Sequence, residues 1–402
     1  MALFGAAILA YTAVKVLLYT ALTIKPDQFF WHRDLGLLTR AFRALGHDAW
    51  LAVRPAFESQ SKIKHRTPKT DKNPVIWASP HDVRNPTWWQ SHKPDLVILG
   101  LWTRPKYDPI RRAALSATPR VIERADSDGM RTASCGFLTY AKRRFDYFRD
   151  RTYRWPPFLS VPASVLYSFT SLLATPWMEA RLARTLKLMP AVAVETPKAL
   201  QLWRKLAAKI GADPHRIHCI PHPIQTDIFW PDPSISKKNQ IISVGRWASY
   251  QKNLPLLLKT LRSFLSKNPA WTSLVIGSGL PTKSPYPQIT FLPPLPPPDL
   301  ARHMQESKIF LSASRYESFG LAAAEAALSG CRVVALGDCL PGLPAAPSVG
   351  SHDGPLRNLL AAAKCGKRPK SLVGKLSLAP KRVAALFLQI DRSFKKPNCR
   401  LT

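Results

Sequence analysis

The stretch Ser314–Ala326, SRYESFGLAAAEA, decides how the C-terminal half of this chain is interpreted. A short apolar run, Ile309 to Leu311, precedes it, and the alanine-rich stretch that follows closes at Gly330. This pattern predicts a strand, a tight turn and then a helix. Such a turn presents backbone N–H groups and the positive end of a helix dipole, so we expect an anion-binding site there.

Two glutamates bracket the Phe-Gly step of this stretch. Glu317 falls in the predicted turn, and Glu325 falls on the helix, roughly 9 Å along its axis from a start near Phe319. One carboxylate could accept hydrogen bonds from one end of a long ligand and the second from the other end, with a diphosphate on the amides between them. A nucleotide-sugar has this layout, because two polyols flank its diphosphate.

Length and charge limit the class of protein. The 402 residues predict two domains, and 58 basic against 25 acidic residues give a net charge of +33. Such a field favours anionic partners: acidic lipid, phosphorylated glycans, nucleic acid or a polyanionic polymer. A generally basic proteome, or a need for solubility, is the alternative explanation of the charge. The six cysteines lack zinc-site spacing, so we expect reduced thiols in a cytoplasmic protein.

Short apolar strands alternate with helical patterns along the whole chain, which predicts an α/β fold with parallel sheets covered by helices on both faces. Prolines and polar residues cluster at Pro221–Pro233 and indicate a domain boundary. We therefore predict an N-terminal domain at residues 1–230, a C-terminal domain at 231–380, and a last helix with a basic tail, Lys395-Lys396, at 381–402. We expect that helix to pack back toward the N-terminal domain.

Two apolar segments bear on membranes. Ala2–Ala13 has no basic residues before it and is interrupted by Lys15, so we do not expect a signal peptide. Phe158–Met178 has 21 residues without a charge, but it contains two prolines and six Ser or Thr. With basic flanks at Lys142–Arg154 and Arg181–Lys187, it fits an element lying on an anionic membrane face and fits a buried core helix equally well.

A pair of cations follows the predicted strand Gln240–Val244. Gly245-Arg246 comes directly after the strand, and Lys252 lies at the start of the next helix. In a doubly wound sheet, ligands bind beyond the carboxyl ends of the strands, where the Glu317 turn is also expected. Together the guanidinium and the ammonium could neutralise a diphosphate leaving group without a metal ion.

These motifs occur in the same order in a known group of enzymes. Gly245-Arg246 with Lys252-Asn253-Leu254, followed by Ser312–Leu321, Glu325-Ala326 and Gly330–Val334, resembles the retaining, metal-independent glycosyltransferases of the GT-B fold. The most similar type is the large bacterial group that uses nucleotide-sugars and includes lipopolysaccharide and phosphatidylinositol mannosyltransferases. Pro221–Ile224 resembles the interdomain segment of that group. The resemblance is strong over residues 240–335 and weak but collinear before them.

The resemblance implies a fold and a reaction. The fold would be two Rossmann-like doubly wound domains that face each other across a cleft. The reaction would transfer a sugar from a nucleotide-diphosphate-sugar donor to a glycan or lipid-linked acceptor, an EC 2.4 activity with no further cofactor and no metal. An anionic membrane, at the inner face of the plasma membrane, is a further candidate partner, and cell envelope polysaccharide synthesis is the process implied.

The resemblance also implies roles for individual residues. Arg246 and Lys252, after Gly245, would bind the donor diphosphate, Glu317 would meet the sugar hydroxyls, and Glu325 would hold the ribose. The backbone amides of four successive residues would cradle the phosphates: Ser318, Phe319, Gly320 and Leu321.

The N-terminal half departs from the pattern of the group. Pro26-Asp27-Gln28 stands where a Gly-Gly step is usual, and His222 stands where the interdomain segment usually has Asn. The usual N-domain histidine is not evident. Asp126, which follows the strand Val121–Ile122, occupies its region and could bind a sugar hydroxyl or an acceptor as a catalytic residue beside Glu317. It could equally cap a loop.

A second hypothesis uses the charge rather than the motifs. A non-catalytic relative of the same fold could hold an anionic polymer, including nucleic acid, on its basic surface. The chain has no recognised nucleic-acid motif and does not concentrate its basic residues with aromatics on one element, so we do not expect nucleic acid as a partner.

Overall fold

The computed structural model describes residues 13–23, 30–54, 74–284, 286–335, 359–360, 362–363 and 378–394. Pro26-Asp27-Gln28, the basic tail Lys395-Lys396 and all but the last residue of Ala2–Ala13 lie outside the described residues. Those that are described form two parallel β-sheets with helices between the strands, as the alternating pattern predicts.

The first sheet has seven strands in the order β3-β2-β1-β4-β5-β6-β7, and its register pairs are parallel. The order reverses direction at β1, because β2 and β3 lie on one side of it and β4 on the other. Its strands are β1 (Lys15–Thr23), β2 (Asp48–Arg54), β3 (Val75–Trp77), β4 (Leu96–Gly100), β5 (Val121–Arg124), β6 (Ala191–Val194) and β7 (Ile217–Cys219).

The second sheet has five strands in the order β10-β9-β8-β11-β12, again all parallel. Its reversal lies at β8, which pairs with β9 on one side and with β11 on the other. The strands are β8 (Lys238–Arg246), β9 (Thr272–Ser278), β10 (Ile289–Leu292), β11 (Ser307–Ser312) and β12 (Arg332–Ala335).

Helices connect most of the strands, as parallel pairing requires. They are α1 (Asp34–Ala44), α2 (Pro86–His92), α3 (Asp108–Leu115), α4 (Phe137–Arg151), α5 (Pro157–Leu173), α6 (Thr175–Leu188), α7 (Pro197–Lys209), α8 (Leu254–Leu265), α9 (Pro297–Glu306), α10 (Leu321–Leu328) and α11 (Pro380–Ser393).

Both faces of the second sheet are buried, because successive residues of a strand point to opposite faces. Ile242 packs in the cluster that contains the buried residues of α9 and α10, and Ile241 packs in the cluster that contains those of α8. Helix α8 contributes Leu257, Leu261 and Phe264, all fully buried. The apolar stripe that the sequence shows on this helix is therefore its core face.

Contacts divide the chain into two compact units. The first comprises Met1–Ala125, Arg184–Ala193 and Pro380–Thr402, and the second comprises Asp126–Ala183 and Val194–Ala379. Helix α11 belongs to the first unit, in which Asp391 pairs with Arg120 of the segment before β5. The domain boundaries at residues 230 and 380 stay a prediction.

Helix α5 exposes its apolar side chains. Phe158 is 74% exposed and Leu166 is 63% exposed, so the interpretation of Phe158–Met178 as a buried core helix is wrong for this part of the segment. Within the described residues no helix by itself is long and apolar enough to cross a membrane. Helices α5 and α6 together, bent by 62° at their junction, meet the same criteria of length and composition.

A buried ion pair joins α3 to β5 in the first unit. Arg111 and Glu123 are both fully buried, and the guanidinium donates two hydrogen bonds of 2.6 Å to the carboxylate. Burial works to lower the pKa of Arg111, but the charge of Glu123 outweighs it and raises that pKa. The backbone N–H of Thr103 also donates to Glu123, at 2.5 Å. These contacts tie the loop after β4 to the neighbouring strand.

Replacing Glu123 by Ala leaves the Arg111 charge buried without its main partner, and we expect a loss of about 3–5 kcal/mol in the free energy of unfolding. The control is Arg302→Ala, which breaks the exposed ion pair with Glu306 and costs at most about 1 kcal/mol. Urea denaturation of both variants measures the difference. Equal losses in the two variants would contradict this account of the buried pair.

Candidate active site

The candidate site lies at the carboxyl edge of the second sheet. Strands β8 and β11 are parallel neighbours, with Ile241 opposite Ile309 and Ile242 opposite Phe310. Both strands therefore end at the same edge, and the chain leaves β8 toward β9 but leaves β11 toward β12 on the other side. Ligands bind in the crevice that such a reversal creates. All ten predicted site residues belong to the second unit, which contains this edge.

Gly320 sets the start of α10. It is buried and has a left-handed backbone with φ of 87°, a conformation that favours glycine, and the helix begins at Leu321. The side chain of Phe319 is buried in the core and anchors the turn between β11 and α10. The first N–H groups of an α-helix have no acceptor within the helix, so this end presents donors at the sheet edge. Glu325 lies on the same helix and is buried, with 3% exposure.

Lys252 and Glu317 form an ion pair at this edge. The Nζ of Lys252 donates to Oε1 of Glu317 at 2.5 Å, and both side chains are largely buried. Gln251 holds the same turn, because its Nε2 donates to the backbone carbonyl of Tyr316 at 2.8 Å and to Oε2 of Glu317 at 3.3 Å. The loop after β8 is thus bonded to the loop after β11.

Gly277 lets the backbone of β9 lie close against Gly245 of β8. They are register partners, and a Cβ built on Gly277 would lie 1.8 Å from the carbonyl oxygen of Gly245. Only glycine therefore fits at Gly277. Beside this contact, a cavity of about 340 Å³ opens at the ends of β9 and β10. Its lining includes Ser278, the register partner of Arg246, and Phe291. The side chain of Arg246 is exposed.

Asp126 follows β5 in the sequence and contacts the Glu317 turn. Its Oδ1 accepts a hydrogen bond from Oγ of Ser318 at 3.2 Å and lies 3.3 Å from Nε2 of His222. The ring of His222 in turn packs edge-on against Phe319, with 5.3 Å between ring centroids. Residues from three distant parts of the sequence therefore meet at one end of α10.

A metal ion could be held near this point. Among the described residues, ligand atoms of Asp126, Glu195 and His222 lie within 4.8 Å of one another, and Glu195 and His222 are buried. The donor set, two carboxylates and an imidazole, suits a divalent metal. Hydrogen bonds already engage part of it, because the backbone N–H of Ser127 donates to Oε2 of Glu195 at 3.0 Å.

Helix α4 braces both loops of the site. Oδ1 of Asp150 accepts hydrogen bonds from Oγ of Ser249 at 2.6 Å and from the backbone N–H of Gln251 at 3.1 Å. The guanidinium of Arg143 stacks on the ring of Tyr316, 3.6 Å from its centroid. Burial raises the pKa of Tyr316 to about 12, with Arg143 opposing, so the phenol stays protonated at neutral pH.

Sequence reasoning did not single out several residues at this edge. Gln251 and Asp150 gave no signal, since their partners are fixed only in the folded chain. The turn Gly277–Gly279 did carry one, because a glycine-rich turn directly after a strand is typical of a close approach to a ligand or to another backbone.

Comparison with known proteins adds family relationships to this geometry. Residues 238–364 match the family described as Glycosyl transferases group 1. The D-inositol 3-phosphate glycosyltransferase of Acidothermus cellulolyticus is 27% identical to this chain over 159 residues. That match covers 33% of this chain and 35% of the relative, so the similarity spans about a third of the relative's length.

Solved structures resemble nearly the whole chain. HepE from Anabaena, in complex with UDP and glucose, has a TM-score of 0.52 and 13% identity, covering 95% of this chain and 98% of its own. The catalytic domain of starch synthase IV from Arabidopsis thaliana, bound to ADP and acarbose, has a TM-score of 0.56 and 12% identity, covering 96% and 100%. At these identities the likeness concerns the fold. Residues 238–364 therefore form a Glycosyl transferases group 1 domain, in a chain that has the two parallel sheets of the GT-B fold.

Proposed function

We propose that this protein is a glycosyltransferase that moves a sugar from a nucleotide-diphosphate-sugar to a glycan or lipid-linked acceptor. One observation carries the proposal: the Lys252–Glu317 pair lies at the switch point of the second sheet, in the loops that lead into α8 and α10. A cation, a carboxylate and free helix amides at one edge suit a ligand that is both anionic and rich in hydroxyl groups.

The contacts leave the pair able to bind a donor. An ammonium group has three N–H donors, and Glu317 takes one of those of Lys252, so two remain for phosphate oxygens. Each carboxylate oxygen of Glu317 likewise has acceptor capacity left for sugar hydroxyls. In the proposed complex Lys252 and Arg246 bind the diphosphate, the amides of Ser318–Leu321 cradle it, and Glu325 holds the ribose.

The cavity at the ends of β9 and β10 is the proposed site of the base. Its lining contains Ser278, which is paired with Arg246 in the sheet, and the aromatic side chain of Phe291. HepE from Anabaena has been solved with UDP, and starch synthase IV from Arabidopsis thaliana with ADP. Both nucleotides are therefore candidates for the leaving group of this enzyme.

Catalysis in this proposal is mainly positioning and charge stabilisation. Lys252 and Arg246 would stabilise the negative charge that develops on the departing diphosphate, which is the role a metal ion plays elsewhere. Asp126, fixed by Ser318 and close to His222, would orient a hydroxyl group of the sugar or of the acceptor. With leaving group and acceptor on the same face of the sugar, the anomeric configuration is retained.

The remaining parts of the proposal concern organisation and place. The N-terminal domain, residues 1–230, would bind the acceptor, and the C-terminal domain, residues 231–380, would bind the donor. We place the reaction in the cytoplasm at the inner face of the plasma membrane, in the synthesis of a cell envelope polysaccharide. The net charge of +33 supports an anionic membrane as the neighbour of the enzyme.

Removing a phosphate-binding cation should weaken nucleotide binding. We expect Lys252→Ala and Arg246→Ala each to lower the affinity for a nucleoside diphosphate by about 10- to 100-fold, the value of a charge-assisted hydrogen bond. Titration calorimetry with UDP, ADP and GDP measures the loss. The control is Lys238→Ala, which removes an exposed lysine at the opposite end of the same strand, β8.

Two outcomes of this experiment argue against the proposal. If none of the nucleotides binds to the wild-type protein, the donor site is wrong. If DNA or heparin binds with equal affinity to the wild type and to the double variant lacking Arg246 and Lys252, the non-catalytic, polymer-binding hypothesis is the better one.

The stereochemistry and the metal requirement can be tested on the same enzyme. We expect the product to keep the anomeric configuration of the donor sugar, as read from its proton coupling constants by NMR.

Donor turnover should be unchanged after dialysis against EDTA, since the two cations supply the charge. The opposite result would be a loss of turnover in EDTA that is reversed when Mn²⁺ or Zn²⁺ is added. If the metal fails to restore turnover in the His222→Ala variant, the Asp126–Glu195–His222 group has a metal role.

A further inference from the structure

The exposed apolar side chains of the molecule are concentrated in one place. Among the described residues, eleven of the thirteen large apolar side chains that are exposed lie between Phe137 and Trp177. Soluble monomers rarely leave so much contiguous apolar surface in water, and where they do it marks a binding surface. Seven of the eleven are on α5: Phe158, Leu159, Val161, Val165, Leu166, Phe169 and Leu173.

Helix α5 is amphipathic in the opposite sense to a helix of a water-soluble protein. Its buried residues are Ser160, Ser164 and Ser168, which recur every four positions and form its inner face. Ser168 donates from Oγ to the carbonyl of Ala141 on α4 at 2.7 Å. The apolar positions point outward instead. Such a helix is stabilised by polar contacts on its inner face and would gain free energy if the outer face left water.

Further hydrogen bonds and ring contacts fix α5 to α4. Arg149 of α4 donates to the hydroxyl of Ser160, and Nε of Arg144 donates to Oγ of Ser171 at 3.2 Å. The rings of Phe148 and Tyr167 stack with 4.7 Å between centroids. The polar and aromatic contacts of α5 therefore hold it in this orientation, and its exposed face is a stable feature of the fold.

The surroundings of this face are basic. Residues 137–183 carry seven basic and three acidic side chains. Of the basic ones, Arg143 faces the candidate site, and the others belong to α4, to α6 or to the junction between α4 and α5. The acidic ones are engaged, with Asp146 bonded to Lys142, Asp150 to Ser249 and Gln251, and Glu179 to Lys209. Arg151 and Arg154, beside the start of α5, are exposed.

Tryptophans lie at both ends of the face. Trp155 precedes α5 and is 52% exposed, and Trp177 follows it and is 58% exposed, with the guanidinium of Arg181 over its ring at 4.5 Å. Apolar side chains flanked by tryptophan and arginine are typical of a helix that lies in the interface of an anionic bilayer.

We propose that this α5 face, the seven exposed apolar side chains of the helix with Trp155 and Trp177 at its ends, docks on a bilayer that contains anionic phospholipid. A second copy of the chain fits the face less well, because a two-fold interface would bring the basic surroundings of both copies together. An anionic lipid surface instead complements them, at about 1 kcal/mol for each basic residue near it.

Docking would bring the candidate site close to the membrane. Helix α4 contacts α5 on one side and, through Asp150 and Arg143, the two loops of the candidate site on the other. On docking, those loops would lie within about two helix diameters, or roughly 20 Å, of the bilayer surface. This consequence rests on the proposed function and favours the lipid-linked acceptor, whereas the docking itself follows from the α5 face alone.

Vesicle co-sedimentation of the full chain tests the docking. We expect the protein to bind vesicles of phosphatidylcholine with phosphatidylglycerol at least about tenfold more tightly than vesicles of phosphatidylcholine alone. The triple variant Phe158→Ser, Leu166→Ser, Phe169→Ser should bind the anionic vesicles at least about 100-fold more weakly. Trp230→Ser, which removes an exposed aromatic elsewhere in the same unit, is the control and should bind like the wild type.

Folding of the triple variant is checked independently. The three side chains are exposed, so the variant should keep the melting temperature of the wild type and its stabilisation by nucleoside diphosphate. If it does not fold, each single substitution is measured, and each should weaken binding to the anionic vesicles by about tenfold or more.

Three results would overturn the proposal. If the triple variant binds anionic vesicles as tightly as the wild type does, the α5 face does not take part in the binding. If the protein binds neutral and anionic vesicles equally well, the charge of the lipid does not contribute to the binding. A dimer by light scattering that becomes monomeric only in the triple variant, with unchanged vesicle binding, would assign the face to a second copy of the chain. Vesicle binding without any nucleotide binding would instead refute the proposed function and leave the docking intact.

Discussion

The parallel pairing of β8 with β11 is the constraint on which the candidate site depends. Because the chain leaves these neighbouring strands toward opposite sides of the sheet, their loops border one crevice. The loop after β8 brings Lys252 to this crevice, and the loop after β11 brings Glu317, so an ion pair forms between residues 65 positions apart. The glycine at 277 allows β9 to lie close against β8 on the other side. Without this strand order the same residues would not meet.

Helix α4 connects two features that otherwise look unrelated. On one side its Asp150 and Arg143 hold the loops of the candidate site, and on the other side it packs against the serine face of α5. A helix with polar residues inside and apolar residues outside costs free energy in water, and an exposed apolar patch of this size marks a surface that binds a partner. The proposed bilayer would be that partner, and it would bring a membrane-borne acceptor near the candidate site.

Local sequence predicted the parts of the site that are local in the chain. The turn at Glu317, the glycine before α10 and the position of Glu325 on that helix follow from an apolar run, a Phe-Gly step and an alanine-rich stretch within about twenty residues. The strand β8 and the two cations that follow it, Arg246 and Lys252, could be predicted for the same reason. The segment 158–178 was not, because its composition fits a core helix and an interfacial helix equally, and only the exposure of each side chain separates the two.

The sequence by itself determined the alternation of strands and helices, the two sheets, and the placement of the charged groups at strand ends, since these depend on periodicity and on turn residues a few positions apart. The tertiary structure alone decided which groups touch. The contact of Asp126 with Ser318 joins residues 192 positions apart, and the burial of Arg111 with Glu123 places two charges where composition predicts apolar side chains. Such contacts depend on strand order and packing, which no local pattern encodes.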